Sequence, residues 1–294
     1  MAADLDHARI IERLGETHEA RLQDALRILE ERVIGIVSDA PIKDGALFDL
    51  EWAINARPSI QSAFDTEYLA EAHGIVTNYD KAVKSAEKMI GQYTDFTGID
   101  PAIIRNLKRI AFKGFADIGA EYVDAIATEI YQNTLTGRPM VESIKTLRQK
   151  INGVFMESDS AAANKLVDIA RNATGGEQQD AIDELHKIYA RDRAGNNLRR
   201  YATQMVHDSL MQFDSSVVTV AGKESGATKW KYYGSVISDS REWCQSHAGK
   251  IYTEKEIRES WATHSWAGKA PGDPFIVRGG YNCRHHWRPV FDDE

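Results

Sequence analysis

The sequence predicts an α+β protein whose N-terminal two thirds is mainly helical and whose C-terminal end is a small α+β module that a metal ion could stabilise. Apolar residues recur every three or four positions through the first two thirds, as on one face of a helix. From about residue 227 the chain becomes rich in aromatic and β-branched residues, which favour strands. Both cysteines lie in the last 51 residues. The predicted regions are a helical N-terminal region (1–134), a helical connection with a long helix (135–226) and the module (227–294).

Length and composition are those of a globular protein. The 294 residues suffice for about two domains. With 43% apolar and 27% charged residues, the chain has enough apolar surface to fold, which excludes a wholly disordered protein. No apolar run approaches the ~18 residues of a membrane-spanning helix. The first ten residues, which contain two Asp and no basic cluster, do not resemble a secretory signal.

The charge of the chain is acidic but unevenly distributed. The net charge of −8, from 36 basic and 44 acidic residues, argues against a protein that coats nucleic acid over its whole surface. From Leu198 to the end there are 13 basic and 12 acidic residues. The first 197 residues, with 23 basic and 32 acidic residues, therefore hold the whole acidic excess of the chain.

Four features define the helices of the N-terminal half. A stripe of apolar residues from Ile10 to Val33 predicts one long helix, which Pro41 ends. More scattered apolar positions between residues 58 and 98 predict shorter helices. Asp100-Pro101 is a strong start signal, because Asp caps the first free amides and proline suits the first helical position. That helix should run through Phe115.

Beyond it, the chain restarts at residues 137–139 with a short amphipathic helix that ends near Gly153. The polar segment 172–179 predicts a loop, after which helix should resume from about Asp180. A final apolar stripe, which we interpret as a core face, predicts a long helix from Leu198 that ends before Gly222 or Gly226.

The module should contain strands and one short helix. Residues 228–238 and 249–253 are strand candidates, and 274–280 and 285–291 are two more. A helix over 254–263 is predicted by the capping-box pair Thr253 and Glu256.

Cysteines and histidines in the module form two short clusters that suit a metal. Cys244 and His247 are three residues apart, and Cys283 is followed closely by His285 and His286. Two thiolates and two imidazoles can hold tetrahedral zinc, so the predicted ligands are Cys244, His247, Cys283 and His285, with His286 as the alternate to His285. Hydrogen-bonded buried cysteines without metal are an equal alternative, and a disulfide between the two cysteines is a lesser one.

Two catalytic interpretations of the same residues compete with a structural one. Cys244 and His247 are close enough for a thiolate–base pair, with Asp239 or Asp273 as the orienting group. The cluster of Asn282 with the two following histidines suggests a zinc-dependent nuclease of the His-Asn-His kind. That signature needs a second metal-binding histidine on a following helix, whereas a Trp-Arg-Pro run follows here. No nucleotide-binding or hydrolase motif occurs in the sequence.

Residues 135–291 together resemble the phage-Mu-F-type minor head proteins, the phage head morphogenesis family. The resemblance is most specific at the closing motif, where the family has Asn-Cys-Arg-Cys and a later Pro. The matching residues are a helix element at 200–204, a strand at 229–232, a turn with Asp239, Arg241, Cys244, His247 and Gly249, the close Asn282-Cys283-Arg284-His285 with Pro289, and an upstream segment at 135–144.

The resemblance implies a virion protein with no catalytic site. It implies a low-copy structural protein inside the head at the portal vertex, present in the host cytoplasm during assembly. Its expected partners are the portal protein, other capsid proteins and packaged DNA, with roles in head assembly and in DNA packaging or ejection. The chain departs from the family where His247 and His285 replace its second and fourth cysteines and Gln204 replaces a glutamate.

Overall fold

The computed structural model describes residues 2–153, 161–189, 197–238, 240–281 and 283–291. Asp239 and Asn282, which the sequence suggested as an orienting acid and as part of a nuclease motif, lie outside these described residues.

The described chain is mainly helical with a small sheet near its C-terminus, which confirms the predicted fold class. The helices are α1 (Ala2–Ser38), α2 (Leu50–Asn55), α3 (Arg57–Ala63), a π-helix (Phe64–Leu69), α4 (Ala70–Thr77), α5 (Asp80–Ile90), α6 (Pro101–Leu135), α7 (Met140–Asn152), α8 (Ala161–Asn172), α9 (Gly176–Tyr189), α10 (Leu198–Glu224), α11 (Glu242–His247), α12 (Glu254–Thr263) and α13 (Pro274–Val277). The strands are β1 (Ile42–Lys43), β2 (Ala46–Leu47), β3 (Lys229–Tyr233), β4 (Ile251–Thr253) and β5 (His286–Val290). None of the described helices is long and apolar enough to span a membrane.

Helix boundaries follow the local signals in the sequence. Helix α6 begins at Pro101, and the Asp100 carboxylate accepts a hydrogen bond from the Ala102 amide at 2.7 Å. Helix α7 ends where Gly153 adopts a left-handed conformation, with φ of 70°. The predicted loop at 172–179 is shorter than expected, because α8 continues to Asn172 and α9 already begins at Gly176.

The chain divides into two compact units, each assembled from separated stretches. The first unit contains Met1–Glu19, His73–Gly114 and Gln204–Glu294, and the second contains Ala20–Ala72 and Phe115–Thr203. The continuous regions predicted from the sequence differ from these units, because the long helices α1, α6 and α10 each supply residues to both.

The C-terminal part of α10 belongs to the same unit as the module. Phe213 is buried and packs against the ring of Tyr79, with centroids 5.0 Å apart. Gly222 allows the helix to approach β3 and β5, since a Cβ there would contact Trp230 and Pro289 at 2.7 and 3.0 Å. The helix therefore forms part of the core on which the sheet packs.

The module is built on a three-stranded antiparallel sheet in the order β4-β3-β5. The central strand pairs Tyr232 with Trp287 and Tyr233 with His286 of β5. Aromatic residues from the sheet and the surrounding helices form its core, in which Trp230, Tyr232 and Trp287 are almost fully buried.

Residues 274–280, predicted as a strand, form a helical turn instead. Asp273 accepts a hydrogen bond from the Phe275 amide at 2.9 Å, and Pro274 occupies the first helical position. Both edges of the central strand are already paired with β4 and β5, so this apolar segment packs as helix α13 against the core.

The capping box at the start of α12 forms as predicted. The Thr253 hydroxyl accepts a hydrogen bond from the Glu256 amide, and the Glu256 carboxylate accepts one from the Thr253 amide at 2.8 Å. We expect Thr253→Ala to lower the free energy of unfolding by about 1 kcal/mol, because it leaves helix amides without a partner. Denaturant unfolding of this variant and of Thr263→Ala, a change at the other end of the same helix, measures the effect. An equal loss in both variants would contradict the capping role.

Candidate metal site

Two cysteines and one histidine converge in the module. The Cys244 and Cys283 sulfurs are 3.8 Å apart, and His285 Nδ1 lies 3.7 Å from the Cys283 sulfur. The three ligand atoms all lie within 4.8 Å of one another. The Tyr232 hydroxyl lies beside them, 3.6 Å from the Cys244 sulfur and 3.5 Å from the Cys283 sulfur.

Three short elements bring these side chains together. Helix α11 carries Cys244, the segment before β5 carries Cys283 and His285, and β3 carries Tyr232. The Tyr232 ring stacks on the His285 ring, with centroids 5.2 Å apart and planes 6° apart. Cys244, Cys283 and His285 are 2%, 3% and 6% exposed, so the group is closed to solvent.

Two glycines make room for the group. A Cβ at Gly279 would lie well inside contact distance of the Cys244 sulfur and 2.9 Å from the Cys283 sulfur. A Cβ at Gly234, which has φ of 144°, would collide with the His285 ring. Both positions therefore require glycine for close approach to the ligands.

The adjacent histidines of the closing motif face opposite sides of the sheet. Alternate residues of a strand point to opposite faces, so His285 lies on the side of Tyr232 and Trp287. His286 lies on the other side, where the nearby charges of Arg288, Asp214 and His7 act on it. It is not a member of the Cys-Cys-His group, and burial, as the largest cause, holds its pKa well below the usual value.

His247, a predicted ligand, lies outside the group as well. Its Nδ1 is 2.8 Å from the Trp243 carbonyl oxygen and its Nε2 is 3.2 Å from the Ser260 hydroxyl. The ring stacks on Trp243 at a centroid distance of 3.8 Å. Burial lowers the pKa of His247, which favours the neutral ring. Both ring nitrogens already have partners, so the structure joins three of the four predicted ligands.

The two cysteines form an unequal pair. A hydrogen bond from the Cys244 thiol lowers the pKa of Cys283, and His285 and the positive charge of Arg278 act in the same direction against burial. The hydrogen bond to Cys283, together with burial, raises the pKa of Cys244. The arrangement therefore favours a thiolate at Cys283 and a thiol at Cys244, which would lose its proton on binding a metal.

The cysteine-protease arrangement is not assembled in the described residues. His247 is bonded to Trp243 and Ser260 rather than to Cys244. Asp273 caps helix α13 and forms an ion pair with Arg258 at 2.9 Å. Neither group is placed to activate a thiolate.

Three residues of the site were not predicted. Tyr232 was assigned only to a strand, and its place in the group follows from its pairing with Trp287. Gly279 was assigned only to the strand candidate 274–280. Arg278 is 1% exposed with φ of 55°, and its guanidinium donates to the Cys283 carbonyl oxygen at 3.1 Å, which holds this segment in place. The Gly-Gly pair that follows Arg278 was the one available signal of a close approach.

Comparison of the chain with protein-family models, with curated proteins and with solved structures finds no match. What the site can do therefore rests on its own chemistry. A buried group of two cysteines and one histidine could hold a metal ion.

Proposed function

We propose that Cys244, Cys283 and His285 hold one structural Zn²⁺ ion and that the protein is a non-enzymatic minor head protein of a tailed phage. The observation that carries the first part is the closed ligand group, whose three donor atoms lie within 4.8 Å of one another. Two sulfurs with one imidazole form a ligand set that zinc prefers. Burial of all three residues supports a structural ion over a catalytic one, since a catalytic ion keeps an accessible position.

A fourth ligand is needed to complete a tetrahedral structural site. A water molecule can take this position, and the Tyr232 hydroxyl, within 3.6 Å of both sulfurs, is placed to hydrogen-bond it. Burial, together with the neighbouring thiols, raises the pKa of Tyr232 well above its usual value. We therefore expect Tyr232 to stay protonated and not to bind the ion directly.

Metal analysis of the purified chain tests the ligand set. We expect about one zinc per chain in the wild type and loss of zinc in His285→Gln. The exposed His264 provides the matched control, since His264→Gln makes the same change outside the group. His247→Gln separates the structural from the sequence-based ligand set and should retain zinc. Zinc that survives His285→Gln but not His247→Gln would contradict the proposed group.

Removal of zinc should destabilise the module more than the helices. The ion would connect α11 to the segment before β5, so metal binding and folding of the module are coupled. A chelator should lower the melting temperature followed by tryptophan fluorescence, because five of the six tryptophans lie between residues 230 and 287. Most of the helical circular-dichroism signal should remain. A melting curve unchanged by chelator, in protein shown to have lost its zinc, would contradict the structural role.

The head-protein role is supported by the motifs that the chain shares with minor head proteins between residues 135 and 291. In this proposal the metal stabilises a small module of a protein that acts at the portal vertex in head assembly and in DNA packaging or ejection. Co-expression with the portal protein of the same phage, followed by affinity purification and imaging of assembled heads, tests it. We expect co-purification with the portal and density at the portal vertex. Heads that assemble and eject normally without this protein would contradict the proposal.

A zinc-dependent nuclease of the His-Asn-His kind is the competing function. That signature needs a second metal-binding histidine on a helix that follows the first, whereas here His286 begins strand β5. Incubation of the purified protein with plasmid DNA and divalent metal separates the two functions. Robust cleavage that disappears in a folded His285→Ala variant would support the nuclease and overturn the structural proposal.

A further inference from the structure

Two neighbouring helices of the first unit carry an unusual excess of positive charge. Residues 101–114 of α6 contain four basic and no acidic residues, although the whole chain has a net charge of −8. Helix α5 carries three lysines at positions 81, 84 and 88, which lie close together on one side of a helix. Both segments belong to the first unit.

The two segments lie side by side and run in opposite directions. Lys108 of α6 forms an ion pair with Asp80 of α5 at 2.8 Å and donates to the Thr77 carbonyl oxygen at 2.9 Å. One turn later in α6, the Phe112 ring meets the ring of His73 in α4, with centroids 5.8 Å apart. Helix α6 therefore runs antiparallel to α4 and α5.

Five of the six remaining cations flank this contact on its solvent side. We define the cationic face as Lys81, Lys84, Lys88, Arg105 and Arg109, all of which are exposed. On α6, both arginines lie next to Lys108 around the helix, on the side that faces solvent. On α5, the three lysines lie in the same way next to Asp80, on the same side of the helix pair.

Acidic neighbours do not neutralise this face. None of its five cations has an ion pair with a described carboxylate, and Arg109 donates only to the Asn106 side chain, at 2.8 Å. The two acidic residues of α5 are engaged elsewhere, Asp80 with Lys108 and Glu87 with the Ile99 amide. Five exposed, unpaired cations on an acidic chain are complementary to a polyanion.

We propose that the cationic face binds the phosphate backbone of duplex DNA without reading its sequence. Arg105 and Arg109 are one helical turn apart, about 6 Å, and phosphates recur about every 3.4 Å along one strand, so successive cations can each meet a phosphate.

Two observations favour duplex DNA over other polyanions. The one aromatic residue of the two segments, Phe112, is half-buried against His73, so no ring is free to stack on single-stranded bases. The half-buried Ile104 and Leu107 face the rest of the unit, so apart from Ile110 the helix has no apolar face to insert into a membrane.

This inference rests on the proposed function in one respect: the DNA that the face would contact is the packaged DNA of a phage head. DNA binding by the purified protein can be measured without zinc analysis, portal or virion. Absence of binding would therefore overturn the cationic face and leave the head-assembly proposal to its own test.

Fluorescence anisotropy with a labelled duplex of about 30 base pairs tests the proposal at salt concentrations from about 50 to about 200 mM. Five phosphate contacts predict a slope of log K against log salt of about −4.5, from roughly −0.9 per contact. Arg105→Gln/Arg109→Gln should weaken binding at least about tenfold and bring the slope to about −2.7. Glutamine retains the helix propensity of arginine, and circular dichroism checks the fold.

Lys43→Gln/Lys250→Gln is the matched control, because it removes the same charge at exposed positions that are not part of the cationic face. It should leave the affinity within about twofold of the wild type. Equal weakening by both double variants, or no binding at the lowest salt, would overturn the proposal. Tighter binding of single-stranded DNA, of duplex RNA or of phosphatidylglycerol vesicles than of duplex DNA would also overturn it.

Discussion

At the proposed zinc site, replacement of Gly279 by alanine should prevent metal binding while leaving the helices of the protein folded. The added methyl group would overlap the Cys244 sulfur and lie 2.9 Å from the Cys283 sulfur and 3.2 Å from the Tyr232 oxygen. These atoms cannot all move away, because each residue is at most 3% exposed and packed in the aromatic core. Overpacking of this kind costs about 1–3 kcal/mol before any loss of metal is counted.

Gly35→Ala is the matched control for this change. Gly35 lies inside helix α1, and a Cβ there would meet no atom within 4 Å. Because alanine favours helix more than glycine does, we expect this variant to be as stable as the wild type or up to about 1 kcal/mol more stable. Zinc content and thermal unfolding of the two variants give the comparison. A Gly279→Ala protein with full zinc content and an unchanged melting temperature would show that the ligand group is not arranged as described.

Local signals in the sequence were sufficient to predict the start of helix α6, the end of helix α7 and helix α12 of the module. Proline at position 101, glycine at 153 and the capping box at 253–256 each act within one turn of the chain, so their effect can be recognised without tertiary structure. The segment 274–280 was wrongly predicted as a strand, because its structure depends on tertiary contacts and not on a local signal. Its apolar residues fit a strand or a buried helix equally well, and only the pairing of the central strand on both edges decides between them.

The sequence predicted the types of residue in the ligand group but not which of the candidates belong to it. Cysteine and histidine clusters at two points of the chain indicated a metal site, yet spacing alone could not distinguish His285 from His286 or exclude His247. Which of the two adjacent histidines joins the group depends on which face of the sheet each one points to. His247 stays outside the group because both its ring nitrogens have hydrogen-bond partners elsewhere. The two units could not be predicted from the sequence either. The apolar pattern of a long helix does not show where along the helix one unit ends and the other begins.

Loss of the Asp214 carboxylate should destabilise the first unit strongly. Asp214 is fully buried in α10, its Oδ1 lies 2.8 Å from His7 Nε2, and its Oδ2 is 4.0 Å from the guanidinium of Arg288. Arg288 itself is 2% exposed. Asp214→Ala would remove the largest negative charge that acts on this buried cation, and we expect it to lower the free energy of unfolding by about 3–5 kcal/mol. Denaturant unfolding measures the loss, with Asp208→Ala in the same helix as a comparison that leaves Arg288 paired.

The same carboxylate should make stability depend on acid pH. Burial alone would raise the pKa of Asp214, but the charge of His7 and its hydrogen bond, with Arg288 and His286, lower it to about 2 from 3.8. A depressed carboxyl pKa stabilises the fold above the unfolded value, and this contribution is lost as the pH falls from about 4 through 2. One ionised carboxylate with this shift contributes roughly 2–3 kcal/mol.

Asp214→Asn separates charge from shape, because the amide keeps the size of the side chain and can still hydrogen-bond His7. We expect the difference in unfolding free energy between wild type and Asp214→Asn to shrink by roughly 2–3 kcal/mol as the pH falls from about 5 toward 2. Unfolding titrations of both proteins across this range provide the measurement. A difference that stays constant down to pH 2 would mean that the carboxylate remains charged or is not ion-paired, in disagreement with the contacts of His7 and Arg288.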